Sequence, residues 1–145
     1  MTFRVNQVPA QADYLSVLSR VPAERLKSFV EALLPHLGHV DALRNRTGLA
    51  MIPYTESVEN SVFHLGEALI AEAQVRVGDV EGYGACLGRD LEQALAIAIL
   101  DAALQGERWV ASIVEFLRAE QATQTAEDDL LLRQVEATRV EMETF

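Results

Sequence analysis

Three groups of residues in this 145-residue chain have types and spacing that invite chemistry. The first is Gly88-Arg89-Asp90, directly ahead of a long apolar run. A helix beginning there presents unpaired backbone N–H groups, and together with the Arg89 guanidinium they make a candidate phosphate or partner contact at Gly88 and Arg89. A structural reading competes. Asp90 stands where an N-cap belongs, and Gln93 three positions on completes a capping box. A capping carboxylate occupies the donors itself and repels an anion. Gly82 and Gly84 do not fall into a Gly-x-Gly-x-x-Gly pattern and no Gly-Lys-Ser/Thr occurs, so an autonomous nucleotide site is not expected.

The second group is His36, His39 and His64, the only histidines. There is no Cys-x-x-Cys or His-Glu-x-x-His, and His36 and His39 straddle the Gly38 turn instead of sharing a helical face, so turn or surface roles are expected and no metal. The third is Cys86, near a helix start whose dipole favours a thiolate. A nucleophile needs a base within hydrogen-bond reach, and nothing ties His64 to Cys86, so a small buried hydrophobe is the expectation. No catalytic residue is assigned, and no cofactor on this chain.

The element that positions these residues is a helix from Asp90 into residues 94–100, a wholly apolar run. With so few polar residues it has no solvent face and must be buried, in its own domain or under another chain. Asp101 interrupts it, on nearly the same face as Asp90. A buried unpaired carboxylate is costly, so Asp101 is matched within the chain, exposed at the helix end, or a candidate partner contact.

Upstream, residues 12–19 read as a short helix with Tyr14, Leu15 and Leu18 inward. Pro22 opens a second, in which Leu26, Phe29, Val30 and Leu33 follow the i, i+3, i+4, i+7 spacing. Alternation then predicts antiparallel strands at about 39–45, 47–54, 61–76 and 81–87. Thr47-Gly48 joins the first two, and Gly78-Asp79 makes a hairpin turn. Downstream, residues 107–118 read as an amphipathic helix around Trp109, Ile113, Val114 and Leu117, and residues 119–129 as a polar stretch including an exposed loop. A last helix follows through Leu130, Leu131 and Val135. Residues 138–145 read as an exposed or partner-dependent strand, which makes Arg139, Val140 and Met142 candidate partner contacts.

The resulting fold is α+β: an antiparallel sheet of about four strands, with an N-terminal helical hairpin and C-terminal helices packed on it. One domain spans residues 1–145, with residues 1–11 an extended arm; the length suffices to bury roughly 68–70% of the unfolded surface. A charge of -10, from 22 acidic and 12 scattered basic residues, works against nucleic acid and anionic membranes. The single cysteine fits a reducing, cytoplasmic compartment. The N-terminus lacks a signal-peptide pattern, and the longest apolar run is far short of the ~20 residues that span a bilayer.

Thr47-Gly48-Leu49, Gly66-Glu67, Ala73 with Val75, Gly82-Tyr83 on to Gly88-Arg89-Asp90, Ala94 on to Asp101-Ala102, and Ala137-Thr138-Arg139-Val140 occur in one order. Each motif is weak alone; their order and spacing resemble the G-subunit family of the bacterial carbon-phosphorus lyase system, PhnG, over residues 12–145. The resemblance implies an obligate-complex protein of phosphonate metabolism that assembles with the H, I and J subunits, with the ATPase-like L subunit a further candidate. In that system the J subunit carries the radical chemistry. The I subunit, helped by G, H and L, displaces adenine from ATP with a phosphonate to give ribose 1-phosphonate 5-triphosphate. The chain is then an accessory, non-catalytic subunit of a transferase. Two alternatives from other classes are a stand-alone phosphate- or nucleotide-binding enzyme using the Gly88-Arg89 turn, and a small-molecule binding module without chemistry.

Overall fold

A computed structural model describes residues 2–143. Two short helices, α1 (Gln11–Leu18) and α2 (Ala23–Leu33), come first, followed by a 3₁₀ turn at Leu34–His36. Pro22 sits at the N-cap of α2, and Gly38 adopts a φ of 77°, a left-handed conformation that glycine takes at least cost, where the chain turns into the sheet. Three antiparallel strands follow in sequence order: β1 (Val40–Thr55), β2 (Val62–Val77) and β3 (Val80–Leu87). The Gly78-Asp79 hairpin forms as expected, closing Val77 onto Val80 with Gly78 at a φ of 61°.

The sheet has three strands where about four are expected. The predicted break at Thr47-Gly48 does not occur; Thr47 pairs with Ala71 and Gly48 with Ile70 inside one 16-residue strand. A Cβ on Gly48 would meet nothing, so this glycine neither turns the chain nor makes room for a neighbour.

The apolar helix α3 (Leu91–Gln105) lies against β3 and β2, while α1, α2 and α4 (Val110–Glu143) pack around its other sides. It is the middle of the molecule, which is why residues 96–104 are buried without a gap. Its approach to β3 is unusually close. A Cβ on Gly82 would lie 2.5 Å from Ala102 N, and one on Gly84 2.5 Å from Ala98 N, with the carbonyls of Ala98 and Ala94 nearer still. Ala94, Ala98 and Ala102, spaced at i, i+4, i+8, form the smooth stripe that this contact requires.

Downstream, two further expectations are corrected. Residues 119–129 are helix, not loop, and residues 138–143 are helix, not strand: α4 runs unbroken for 34 residues, about 51 Å. The polar stretch holds no Gly or Pro, and its Glu120 and Gln124 point inward. Glu120 accepts from Arg25 at 2.8 and 2.7 Å, and Gln124 donates to the Val17 carbonyl at 3.0 Å. Arg139, Val140 and Met142 therefore lie on the last turns of a helix; residues 144–145 of the expected strand lie outside the described residues. In the expected N-terminal arm, Phe3 is buried with the core.

Adding one methyl group at the α3–β3 contact separates packing from propensity. Gly84→Ala is expected to destabilise the fold by about 1–3 kcal/mol or more through backbone overlap. Gly48→Ala, in open space within a strand, is expected to be neutral or stabilising by up to about 1 kcal/mol. Urea unfolding of both variants against the parent measures the contrast.

Candidate functional site

Asp101 is 2% exposed, and three groups close around its carboxylate. Gln11 Nε2 donates at 3.1 and 3.3 Å, the Tyr14 hydroxyl donates to Oδ1, and the Tyr83 backbone N–H donates to Oδ2 at 2.8 Å. Gln105, one turn along α3, donates to the Tyr14 oxygen at 3.2 Å. β3 is an edge strand, so Tyr83 has no ladder partner on that side, and Asp101 supplies one. The carboxylate thus ties α1, α3 and β3 together through neutral donors. Sealed from solvent, it is a structural joint with no access for a substrate, so the partner contact anticipated at Asp101 gives way to satisfaction within the chain.

The Gly88-Arg89-Asp90 turn is likewise committed to structure. Asp90 Oδ1 accepts the Gln93 N–H at 3.0 Å, and Lys27 Nζ lies 3.0 Å from Oδ2. That N–H and Lys27 hold the Asp90 carboxyl below its ordinary range. The reciprocal bond from the Gln93 side chain is not among the hydrogen bonds of the described residues. Gly88, at a φ of 101°, extends the β2–β3 ladder by donating to the Leu69 carbonyl at 2.9 Å. Arg89 is exposed and makes no ion pair among the described residues, and the next charged residues in the chain, Asp90 and Glu92, are both acidic. An anion arriving here would meet an occupied cap and a lysine already paired with two carboxylates.

The remaining chemical candidates disperse. Cys86 is buried, its S–H aimed at the Asp90 carbonyl at 3.7 Å, and burial followed by the nearby Asp90 charge pushes the thiol up, away from nucleophilic form. His36 packs against Trp109, His39 pairs with Asp41, and His64 lies across from Pro53. Among the described residues no group of His, Cys, Asp and Glu could hold a metal, and no helix is long and apolar enough to cross a membrane.

What sequence reasoning missed is a surface. β3 pairs with β2 only from Ile70 to Val77, so residues 49–55 and 62–69 continue as a two-stranded arm reaching roughly 23 Å beyond the third strand. Most of its large side chains are apolar and exposed: Leu49 is 65% and Met51 59% exposed, with Ile52, Tyr54, Phe63 and Leu65 also open. Tyr54 packs edge-on against Phe63 at 5.2 Å, and the Glu56 carboxylate ties the tip by accepting the N–H groups of Val58 and Glu59. A second uncovered apolar surface lies on α4, where Leu130, Leu131, Leu132 and Val135 are exposed. The legible signal was apolar residues at both parities of one strand, Leu49 and Met51 beside Ile52 and Tyr54, which a sheet with one solvated face does not need.

Comparison with known proteins gives the family. The family model described as phosphonate metabolism protein PhnG matches residues 10–145. The chain belongs to the PhnG family. A PhnG relative from Rhizobium meliloti (strain 1021), the alpha-D-ribose 1-methylphosphonate 5-triphosphate synthase subunit PhnG, is 35% identical over 100 residues. The match covers 68% of this PhnG-family chain and 64% of the relative, so the chain spans less than two thirds of that relative's length.

The Asp101 joint makes a stability prediction with a pH signature. Burial, then the Asp101 carboxylate, raises the Tyr14 hydroxyl above the ordinary phenol range. The folded chain therefore keeps a proton that the unfolded chain releases above about pH 10, and stability present below that pH is lost as pH rises beyond it. Tyr14→Phe is expected to cost about 1.5–3 kcal/mol at neutral pH, from the lost bond to a charged acceptor. It should also make the alkaline decline shallower by up to about 1.4 kcal/mol per pH unit. Tyr83, raised by burial and by Glu72, leaves a residual slope. Denaturant titrations of both proteins between neutral and alkaline pH read both quantities.

Proposed function

We propose that this PhnG-family chain is an accessory, non-catalytic subunit of a phosphonate-processing synthase, acting by assembly. The reaction it supports is displacement of adenine from ATP by a phosphonate, giving a ribose 1-phosphonate 5-triphosphate, with the chemistry on companion chains. Its partners are the H, I and J subunits of the carbon-phosphorus lyase core, with L a further contact, in the cytoplasm. One observation carries the reading: the carboxylates of Asp101, Asp90 and Glu120 are satisfied within the body, while two exposed apolar surfaces project from it. A two-stranded ribbon with apolar side chains on both faces gains little in water unless something covers it. The name of the Rhizobium relative, a synthase subunit, supports the same conclusion. The rival reading, a stand-alone phosphate enzyme at Gly88-Arg89, has only the Arg89 guanidinium to offer, beside an occupied cap.

Co-expression with the companion subunits, followed by size-exclusion chromatography and an adenine-release assay with ATP and methylphosphonate, tests this. The expected result is co-elution, with release by the assembly that falls at least tenfold when this chain is omitted and no turnover by the chain alone. Separate elution at micromolar concentration, or ATP turnover by the isolated chain that is lost in Arg89→Ala, would overturn it.

A further inference from the structure

The two faces of the β1–β2 arm differ in what they continue. On one face Thr47, Leu49 and Met51 alternate in register with Ala71, Leu69 and Glu67. Ala71 belongs to the buried row Ala71, Ala73, Val75 on which α3 lies, so this inner face of the arm is the same pleated surface, prolonged beyond the first turn of α3. The other face continues into Arg46, Glu72, Tyr83, Arg76 and Glu81, a solvated network in which Arg46 bonds Glu72 at 2.6 Å and Arg76 bonds Glu81 at 3.1 Å. An apolar covering can run on from the body along the first face, whereas on the second it would meet charged groups as soon as it left the arm.

The geometry points to a docking site on the inner face of the arm for an apolar helix of another subunit, carrying a basic side chain opposite Glu67. This rests on the subunit reading above and specifies the surface and its partner. A helix suits the face because the contiguous inner face already binds one, α3. Adding a strand to the free edge of β1 would leave Leu49 and Met51 uncovered, and that edge carries Pro53, which lacks an N–H, next to a register shift at Ile52/Pro53. The basic side chain answers Glu67, an exposed carboxylate among Leu49, Met51 and Leu69 that makes no ion pair among the described residues. Covering the face strips water from it, and a positive partner, which matches the charge as well as the hydrogen bonds, offsets that cost best. A second copy supplies no such match: each copy has a net charge of -10, and a face-to-face pair of arms sets Glu67 carboxylates on both sides of one apolar contact.

The test uses the full chain co-expressed with the companion synthase subunits and a photocrosslinking amino acid placed at Met51. The expected adduct joins a helical, Lys- or Arg-containing segment of another subunit. Met51→Asp and Glu67→Lys are each expected to weaken the complex at least tenfold by titration, whereas Ile52→Asp, on the opposite face, changes affinity less than about twofold. All three positions are exposed, so the isolated variants should keep the parent's circular dichroism and melting temperature. Glu67→Lys combined with charge reversal of the crosslinked basic residue should restore binding. Adducts to a second copy of this chain, equal loss from Ile52→Asp, or wild-type affinity in Met51→Asp would each overturn the inference. If the unmodified chain fails to join the complex, the subunit reading falls with it; if it joins and the inner-face variants join equally well, only the docking site falls.

Discussion

The approach of α3 to β3 is the constraint from which the rest of the molecule is built. With hydrogens at Gly82 and Gly84 in place of side chains, the helix settles until its Ala94 and Ala98 carbonyls face the glycine Cα–H groups, a geometry that admits weak C–H···O bonds. The same depth sets the polar chemistry. Tyr83 lies between the two glycines, and its N–H reaches Asp101 at 2.8 Å only because α3 comes down this far. A helix lifted by one side-chain layer would keep Asp101 buried while removing a donor, and a buried carboxylate short of a partner is among the most destabilising defects a core can carry. Packing and charge satisfaction are therefore one condition in this protein. Tyr14 and Gln11 extend it to α1, so the N-terminal helix is held by the same carboxylate that seats the central one.

How much of this was legible in the sequence follows the range of the interactions. The cap at Asp90, the Gly78-Asp79 hairpin, the amphipathic stripe of α2 and the burial of α3 are written in residues a few positions apart, and all are present in the structure. Two boundaries depend on distant partners. Gly48 has the composition of a turn, and only its pairing with Ile70 makes it strand. Residues 119–129 look like a solvated loop until Arg25, 95 positions away, turns Glu120 inward. The alternation of Val140 and Met142 against charged neighbours is too short to distinguish a strand from the end of a helix that has already run for seven turns. As for Asp101, its need for partners was readable, but their identity was not, because Tyr14 lies 87 positions away.

The site residues divide along the same line. Gly88, Arg89 and Asp90 carry strong local signals and have local jobs, a ladder bond, an exposed side chain and a cap. The arm carries no motif at all. It is defined by what fails to pair with it, since β3 is eight residues long and β1 and β2 are each sixteen. Topology, more than residue type, creates the surface, and for this reason a search for chemical constellations passes over it.

Closure inside and exposure outside are linked by composition. The body holds its carboxylates with short-range donors: Asp101 by Tyr14, Gln11 and Tyr83, Asp90 by Gln93 and Lys27, and Glu120 by Arg25. The projecting elements are under the opposite condition. The face of α4 that packs on the body through Ile113, Leu117 and Gln124 continues at helical spacing into Leu131 and Val135, where the body no longer covers it. A helix end and a hairpin that each prolong a buried face past the edge of their own core are incomplete as an isolated chain, and the simplest way to complete both is a neighbouring subunit. A satisfied interior with unfinished edges suits the subunit role proposed for this chain.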